Sequence, residues 1–130
     1  MKAYWDSSAL LAAARTIGLR ERLNTEKGFS RRHALAEVFS ALTGKPHLRL
    51  PPDEAARLLH DLVGDLEFVD LGTEDFLRGF DNARALGVRG GHIHDLLHAL
   101  AAQKSGASEL LTLDQNDFAG LVPGLSISQV

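Results

Sequence analysis

Apolar positions along the chain switch between short continuous runs and stripes at helical spacing. "KAYWD", residues 2–6, reads as a short strand that runs into a helix at "SSALLAAARTI", with Asp6 or Ser7 as its cap. Ser30 is placed to cap the next helix, "RRHALAEVFSALTG", which stops at Gly44 ahead of Pro46. "PPDEAARLLHDLVG" opens with Pro and closes with Gly, the asymmetry expected of a helix. "LEFVDL" then reads as a strand, and Thr73 opens a further helix that runs to about Leu86. Past the loop "GVRGG" comes the helix "GGHIHDLLHALAA", then a strand "SELLTL", a turn "DQND" and a terminal strand "LSISQV". No repeat, linker or low-complexity segment interrupts this alternation, so residues 1–130 are expected to form a single α/β domain with a mainly parallel central sheet.

Composition narrows the chemistry. With 45% hydrophobic residues in 130, the chain supports one core. It has no cysteine, which removes disulfides, thiolate nucleophiles and zinc-thiolate clusters. No run approaches the ~18 apolar residues of a membrane span, so no membrane association and a cytoplasmic location are expected. The net charge of −3 argues against nucleic-acid binding by bulk electrostatics but leaves room for a local basic patch.

Ligands of such sheets bind beyond the carboxyl ends of the strands, which directs attention to Asp6 after the first strand and Asp114 after "ELLTL". Either one alone is equally well read as a helix cap or turn former. The helices add two more acids. In "GGHIHDLLHALAA" a stripe of Ile93, Leu96, Leu97 and Leu100 leaves Asp95 on the other side; in the Ser30 helix Leu35, Val38, Phe39 and Leu42 do the same for Glu37. Small residues flank both carboxylates, Ala34, Ala36 and Ala41 beside Glu37 and Ala99 and Ala102 beside Asp95, so another element can approach closely. His94 and His98 have the i, i+4 spacing of a zinc pair, yet no further ligand set accompanies them, and they are read as flank or surface residues.

Asp6 in "YWDSSALL", Glu37 in "HALAEVFSAL", Asp95 in "GGHIHDLLHALAA" and Asp114 and Asp117 in "LLTLDQNDF" together resemble the acidic set of PIN-domain ribonucleases, and within them the VapC-type toxins of toxin–antitoxin pairs. No one of these motifs is specific; their order and spacing along the whole chain carry the resemblance. Leu96 follows Asp95 where a small residue is usual, and Asp117 stands where Asn is also frequent; neither departure removes a ligand. The resemblance implies a three-layer sandwich and a metal-dependent endoribonuclease. Its catalytic carboxylates would be Asp6, Glu37, Asp95 and Asp114, holding Mg²⁺ or Mn²⁺ with Asp117 in support, and Ser7 and Thr112 would orient them unless they serve only as a helix cap and a strand-end hydroxyl. It also implies an RNA substrate, a cognate antitoxin and a homodimer.

Elementary electrostatics is consistent with a cation. Two carboxylates about 4 Å apart repel by about 4 kcal/mol at an effective dielectric of 20, and hard oxygen donors favour Mg²⁺ or Mn²⁺ over zinc. On that reasoning, neutralising Glu37 should stabilise the metal-free chain. For RNA to approach, residues 30–49 offer Arg31, Arg32, Lys45 and Arg49 against the single acid Glu37, either as a basic rim or as a solvated helix start and loop. Two other readings stay open: a non-catalytic PIN-like binding module that retains the acids, and a phosphoacceptor receiver domain. The second is disfavoured because Ser7 and Ser8 follow Asp6 where a paired acid is normal, and Asp114 ends the late strand in place of Lys.

Overall fold

The computed structural model describes residues 2–130. Five strands, β1 (Ala3–Trp5), β2 (Gly28–Ser30), β3 (Leu66–Phe68), β4 (Glu109–Thr112) and β5 (Ser126–Gln129), form one sheet in the order β3-β2-β1-β4-β5, and every pairing is parallel. Around it lie α1 (Ser7–Arg15), α2 (Ile17–Glu26), α3 (Arg32–Gly44), α4 (Pro52–Val63), α5 (Thr73–Leu86) and α6 (Ile93–Ser105). Side chains alternate across the central strands, so Trp5 and Leu111 join one core with Leu10, Leu23, Val38, Leu42 and Leu62. Tyr4 and Leu110 join a second with Leu96, Ala99 and Phe118. Two cores on opposite faces of one sheet make three layers, as expected of parallel strands buried on both sides. No helix of the described residues is long and apolar enough to cross a membrane.

Two elements depart from the sequence reading. Between the helix "SSALLAAARTI" and Ser30, where the sequence reading assigns no element, lie α2 and the inner strand β2, because a strand as short as "GFS" carries no period of its own and is stabilised by its two neighbours. Ser30 therefore caps nothing: it ends β2, its Oγ donates to the Trp5 carbonyl at 2.8 Å, and Arg31 precedes α3 without a side-chain cap. Gly28 is required where it stands, since a Cβ there would lie 2.7 Å from Trp5 Cδ1. The remaining boundaries follow the sequence, with "LEFVDL" contracting to β3 and "DQND" tightening into a 3₁₀ turn over Gln115–Phe118.

The strand order has one consequence for the site. From β1 the chain works outward through β2 to β3, then crosses back to place β4 against the other side of β1. The direction of winding reverses between β1 and β4, and such a reversal opens a crevice at the carboxyl ends of the two strands.

Candidate functional site

Asp6 and Asp114 stand at this reversal. Asp6 follows β1, donates its N–H to the Leu111 carbonyl at 3.1 Å and is 5% exposed. Its Oδ1 accepts from the Ala9 N–H at 2.8 Å, capping α1, and from Ser8 Oγ at 2.7 Å. Ser8 also lies 3.3 Å from Thr112 Oγ1 and accepts from the Leu113 N–H at 3.0 Å, which ties the start of α1 to the end of β4. Thr112 Oγ1 in turn accepts from the Asp114 N–H at 3.2 Å, and Asp114 Oδ1 from the Asn116 N–H at 3.1 Å. Thr112 thus reaches Ser8 and the Asp114 backbone but no carboxylate oxygen, while the hydroxyl bonded to the Asp6 carboxylate belongs to Ser8 and not to Ser7. "DSS" offers both, and only the helix turn decides which one faces the carboxylate.

Asp95, half-buried near the start of α6, lies in the field of Asp6 and of a further acid, Asp117. Burial pushes its carboxyl above the ordinary range, the charges of Asp117 and Asp6 push the same way, and His92 and His98 oppose them. His92 helps to hold Asp117 in place, its Nε2 lying 2.6 Å from the Asp117 carbonyl oxygen.

Glu37 has a different partner. Burial raises its proton affinity, but a hydrogen bond and charge from His98, with smaller effects of His33 and His94, outweigh burial and leave the carboxyl below its ordinary range. His98 Nε2 lies 3.2 Å from Glu37 Oε1, and His98 Nδ1 lies 2.8 Å from the Tyr4 hydroxyl. His98 is 2% exposed, so the reading of it as a flank or surface residue is corrected; His94 is exposed, its ring stacked on that of His33 with centroids 6.5 Å apart. The helix faces explain the miss. Helix α6 is buried over Leu96, Leu97, His98, Ala99, Ala101 and Ala102, nearly all round, so the apolar stripe did not mark its only covered side. Ala99 and Ala102 at 0% exposure do receive a neighbour closely, whereas Ala36 is exposed. In α3 the covered stripe is Ala34, Val38 and Leu42 with Phe39 at 37% exposure, which brings Glu37 to the border of the buried face. The same contact runs against the expectation that neutralising Glu37 relieves repulsion, because the side chain hydrogen-bonded to Glu37 is the His98 ring and not an acid.

Glu37 opens into a cleft of about 280 Å³ with Ser7, Ser8, Leu11, Lys45 and Leu113, continuous through Glu37 and Lys45 with a groove of about 730 Å³ along the outer face of α3. Of the four expected basic residues, Lys45 alone lines this cleft. Arg31 is buried with its guanidinium 5.7 Å from the Phe76 ring centroid, so it is a packing residue and not part of a solvated rim. Arg32 is paired with Asp70 and lies over Phe68, and Arg49 is exposed at a φ of 41° in the loop after α3. Of the basic rim read from the sequence, Lys45 is the residue in the wall of this cleft, and Arg32 and Arg49 are exposed as the solvated alternative has them.

Among the described residues no three His, Asp or Glu side chains are grouped closely enough to hold an ion as they stand. The chemistry of the donors nevertheless fits a hard cation. Among the described residues Asp6 and Asp114 each accept protein hydrogen bonds at one oxygen and have none at the other, and the field of Asp117 and Asp6 on Asp95 is one that a cation compensates.

No protein-family model matches the chain, and no curated protein matches it. Among solved structures it is similar to the crystal structure of PAE2754 from Pyrobaculum aerophilum, with a TM-score of 0.69 and 19% sequence identity over 98% of this chain and 89% of that one. At this identity the likeness shows a shared fold.

Proposed function

We propose that this chain is a Mg²⁺- or Mn²⁺-dependent endoribonuclease of the PIN-domain type, the toxin of a toxin–antitoxin pair. The observation that carries this reading is the placement of Asp6 and Asp114 on either side of the β1/β4 reversal, with Asp95 in the field of both Asp6 and Asp117. An acidic, cysteine-free crevice of oxygen donors suits phosphodiester hydrolysis better than nucleophilic or redox chemistry. Asp6, Asp95, Asp114 and Asp117 would hold the ion, with Glu37 reaching it from α3. When bound, the ion supplies activation of the attacking water and charge neutralisation at the phosphodiester. The chain's own contributions are orientation and access. The Ser8 and Thr112 hydroxyls hold Asp6 and the Asp114 backbone in register, and Lys45 offers a phosphate contact beside Glu37.

The toxin assignment rests on the order and spacing of the acids. With it come a homodimer, a cytoplasmic site of action and an antitoxin that inserts an Arg or another polar group among the carboxylates. Cleavage of total RNA by the purified protein with Mg²⁺, with Mn²⁺ and with EDTA tests the reading. Activity should require the ion, and Asp6→Asn or Asp95→Asn should reduce it by about 100-fold or more without unfolding the chain. Full activity in either variant or in EDTA refutes it. The non-catalytic binding module is favoured by one observation, the engagement of Glu37 with His98 in place of the other acids; RNA binding without cleavage in the same assay would establish it.

A further inference from the structure

The outer face of α3 carries an open groove. His33, Ala36, Ser40 and Gly44 recur on this face at helical spacing, while Ala34, Val38 and Leu42 on the other enter the core. The groove encloses about 730 Å³, within the roughly 300–1,000 Å³ of clefts that take a small ligand. Its floor of Ala36, Ser40, Ala41 and Gly44 is built of small side chains. That floor is too smooth for the anchor pockets by which an amphipathic helical peptide is held.

Two imidazoles stand at one end. His33 lines the groove, and the His94 ring from α6 is stacked on the His33 ring with centroids 6.5 Å apart and an interplanar angle of 18°. Both residues are exposed, and neither ring makes a hydrogen bond among the described residues. Two such rings open to solvent form a platform on which an unpaired base extends the stack. Lys45 stands at the other end, about 18 Å away by the rise of the helix, exposed and without an ion pair among the described residues. Base and phosphate contacts therefore fall on different nucleotides of one strand. Between them Glu37 marks the opening into the cleft of Ser7, Ser8 and Leu113, where Ser8 holds the Asp6 carboxylate. A strand lying in the groove is led from the platform toward the acids of the β1/β4 crevice.

We infer that the α3 groove is a subsite for single-stranded RNA, in which the His33–His94 pair stacks an unpaired base and Lys45 contacts a phosphate. The two histidines are then specificity-determining residues, since they require a base whose face is free. This subsite deepens the RNA-cleaving reading above and rests on it.

The test is binding by the full chain in EDTA, where metal-dependent cleavage does not consume the probe. The probes are a fluorescently end-labelled oligoadenylate and an abasic strand of equal length, which keeps the phosphates and lacks the bases; both are read by anisotropy. Wild type should bind oligoadenylate more tightly. His33→Leu and His94→Leu should each raise its Kd by about 5- to 20-fold, the lower part of the range for a base on an aromatic ring, and leave the abasic Kd alone. His94→Phe should keep the wild-type Kd, because the ring face and not a nitrogen makes the contact. Lys45→Ala should weaken both strands alike. A pair that only packs α6 against α3 would lower the Tm on substitution and move neither Kd. The base preference of wild type needs no variant, so the test survives a leucine variant that does not fold. An abasic strand bound as tightly as oligoadenylate, no binding of either, or leucine variants that bind as wild type does overturns the inference, and metal-dependent cleavage of total RNA then leaves the nuclease reading standing. Loss of a co-purified partner protein from the leucine variants, with RNA binding unmoved, assigns the groove to a peptide and overturns it likewise. A wild type that neither binds nor cleaves RNA refutes both.

Discussion

Neutralising two acids of the same site should move stability in opposite directions. At pH 7 in EDTA, Glu37→Gln replaces a charge-assisted bond to His98 with a neutral one. A bond to a charged group contributes about 1.5–3 kcal/mol against about 1 for a neutral pair. With the Glu37 side chain 29% exposed, solvent trims the difference to about 1 kcal/mol. For 130 residues the unfolding entropy is about 0.27 kcal/mol/K, so the Tm should fall by about 4 °C. Asp95→Asn removes a charge that burial, Asp117 and Asp6 all disfavour, and should raise the Tm by about 2–4 °C. The pH dependence follows from the two directions. Glu37, with a folded pKa below 4.5, contributes stability that is full above 4.5 and is lost as pH falls through the folded value. Asp95, with a folded pKa above 3.8, imposes a cost that is full above the folded value and is gone below 3.8. Both shifts should therefore shrink on acidification. Saturating Mn²⁺ at about a hundred times its Kd should add about 2.7 kcal/mol to wild type and less to either variant. Scanning calorimetry of the three proteins across pH decides the matter: a stabilising Glu37→Gln would refute the placement of Glu37 beside His98, and a destabilising Asp95→Asn would refute the unfavourable burial of Asp95 beside Asp117 and Asp6.

Gly28→Ala forces a methyl to within 2.7 Å of the buried Trp5 ring and should destabilise by about 1–3 kcal/mol in urea titrations; a neutral result would mean that β2 sits farther from β1. Asp65, held down to about 2 chiefly by Lys27, with Arg20 and Asn24 assisting against burial, should contribute on the order of 2 kcal/mol above pH 3.8 and lose it as pH falls toward about 2. Asp65→Asn should accordingly be less stable than wild type at pH 7 and converge with it in acid, and a constant gap would contradict this. Lys45→Ala should weaken RNA binding, reduce its salt slope by about one and leave the Tm within about 1 °C; an unchanged salt slope would remove Lys45 from the RNA path.

Much of the fold is local and was legible in the sequence. The helix that starts after Asp6, the Pro-to-Gly helix α4, the helix from Thr73 and the late strand "ELLT" all announce themselves, because caps, breakers and a one-sided apolar stripe are properties of the segment itself. The positions of Asp6 and Asp114 just past strand ends were legible for the same reason. Strand β2 was not, since three residues paired on both sides need no pattern of their own. The choice of Ser8 over Ser7, the burial of Arg31 under Phe76 and the exposure of Phe39 depended likewise on which neighbour arrived. The site's central contact is the clearest case. Tyr4, His98 and Glu37 are joined across 94 and 61 residues of sequence, and a histidine on an apparently polar helix face became buried because α6 is covered on more than the side its stripe marks. Local chemistry determined which residues were capable of acid or ligand roles. Only packing, which spends the same carboxylate on an imidazole, a backbone N–H or a neighbouring charge according to what it touches, decided how each is held.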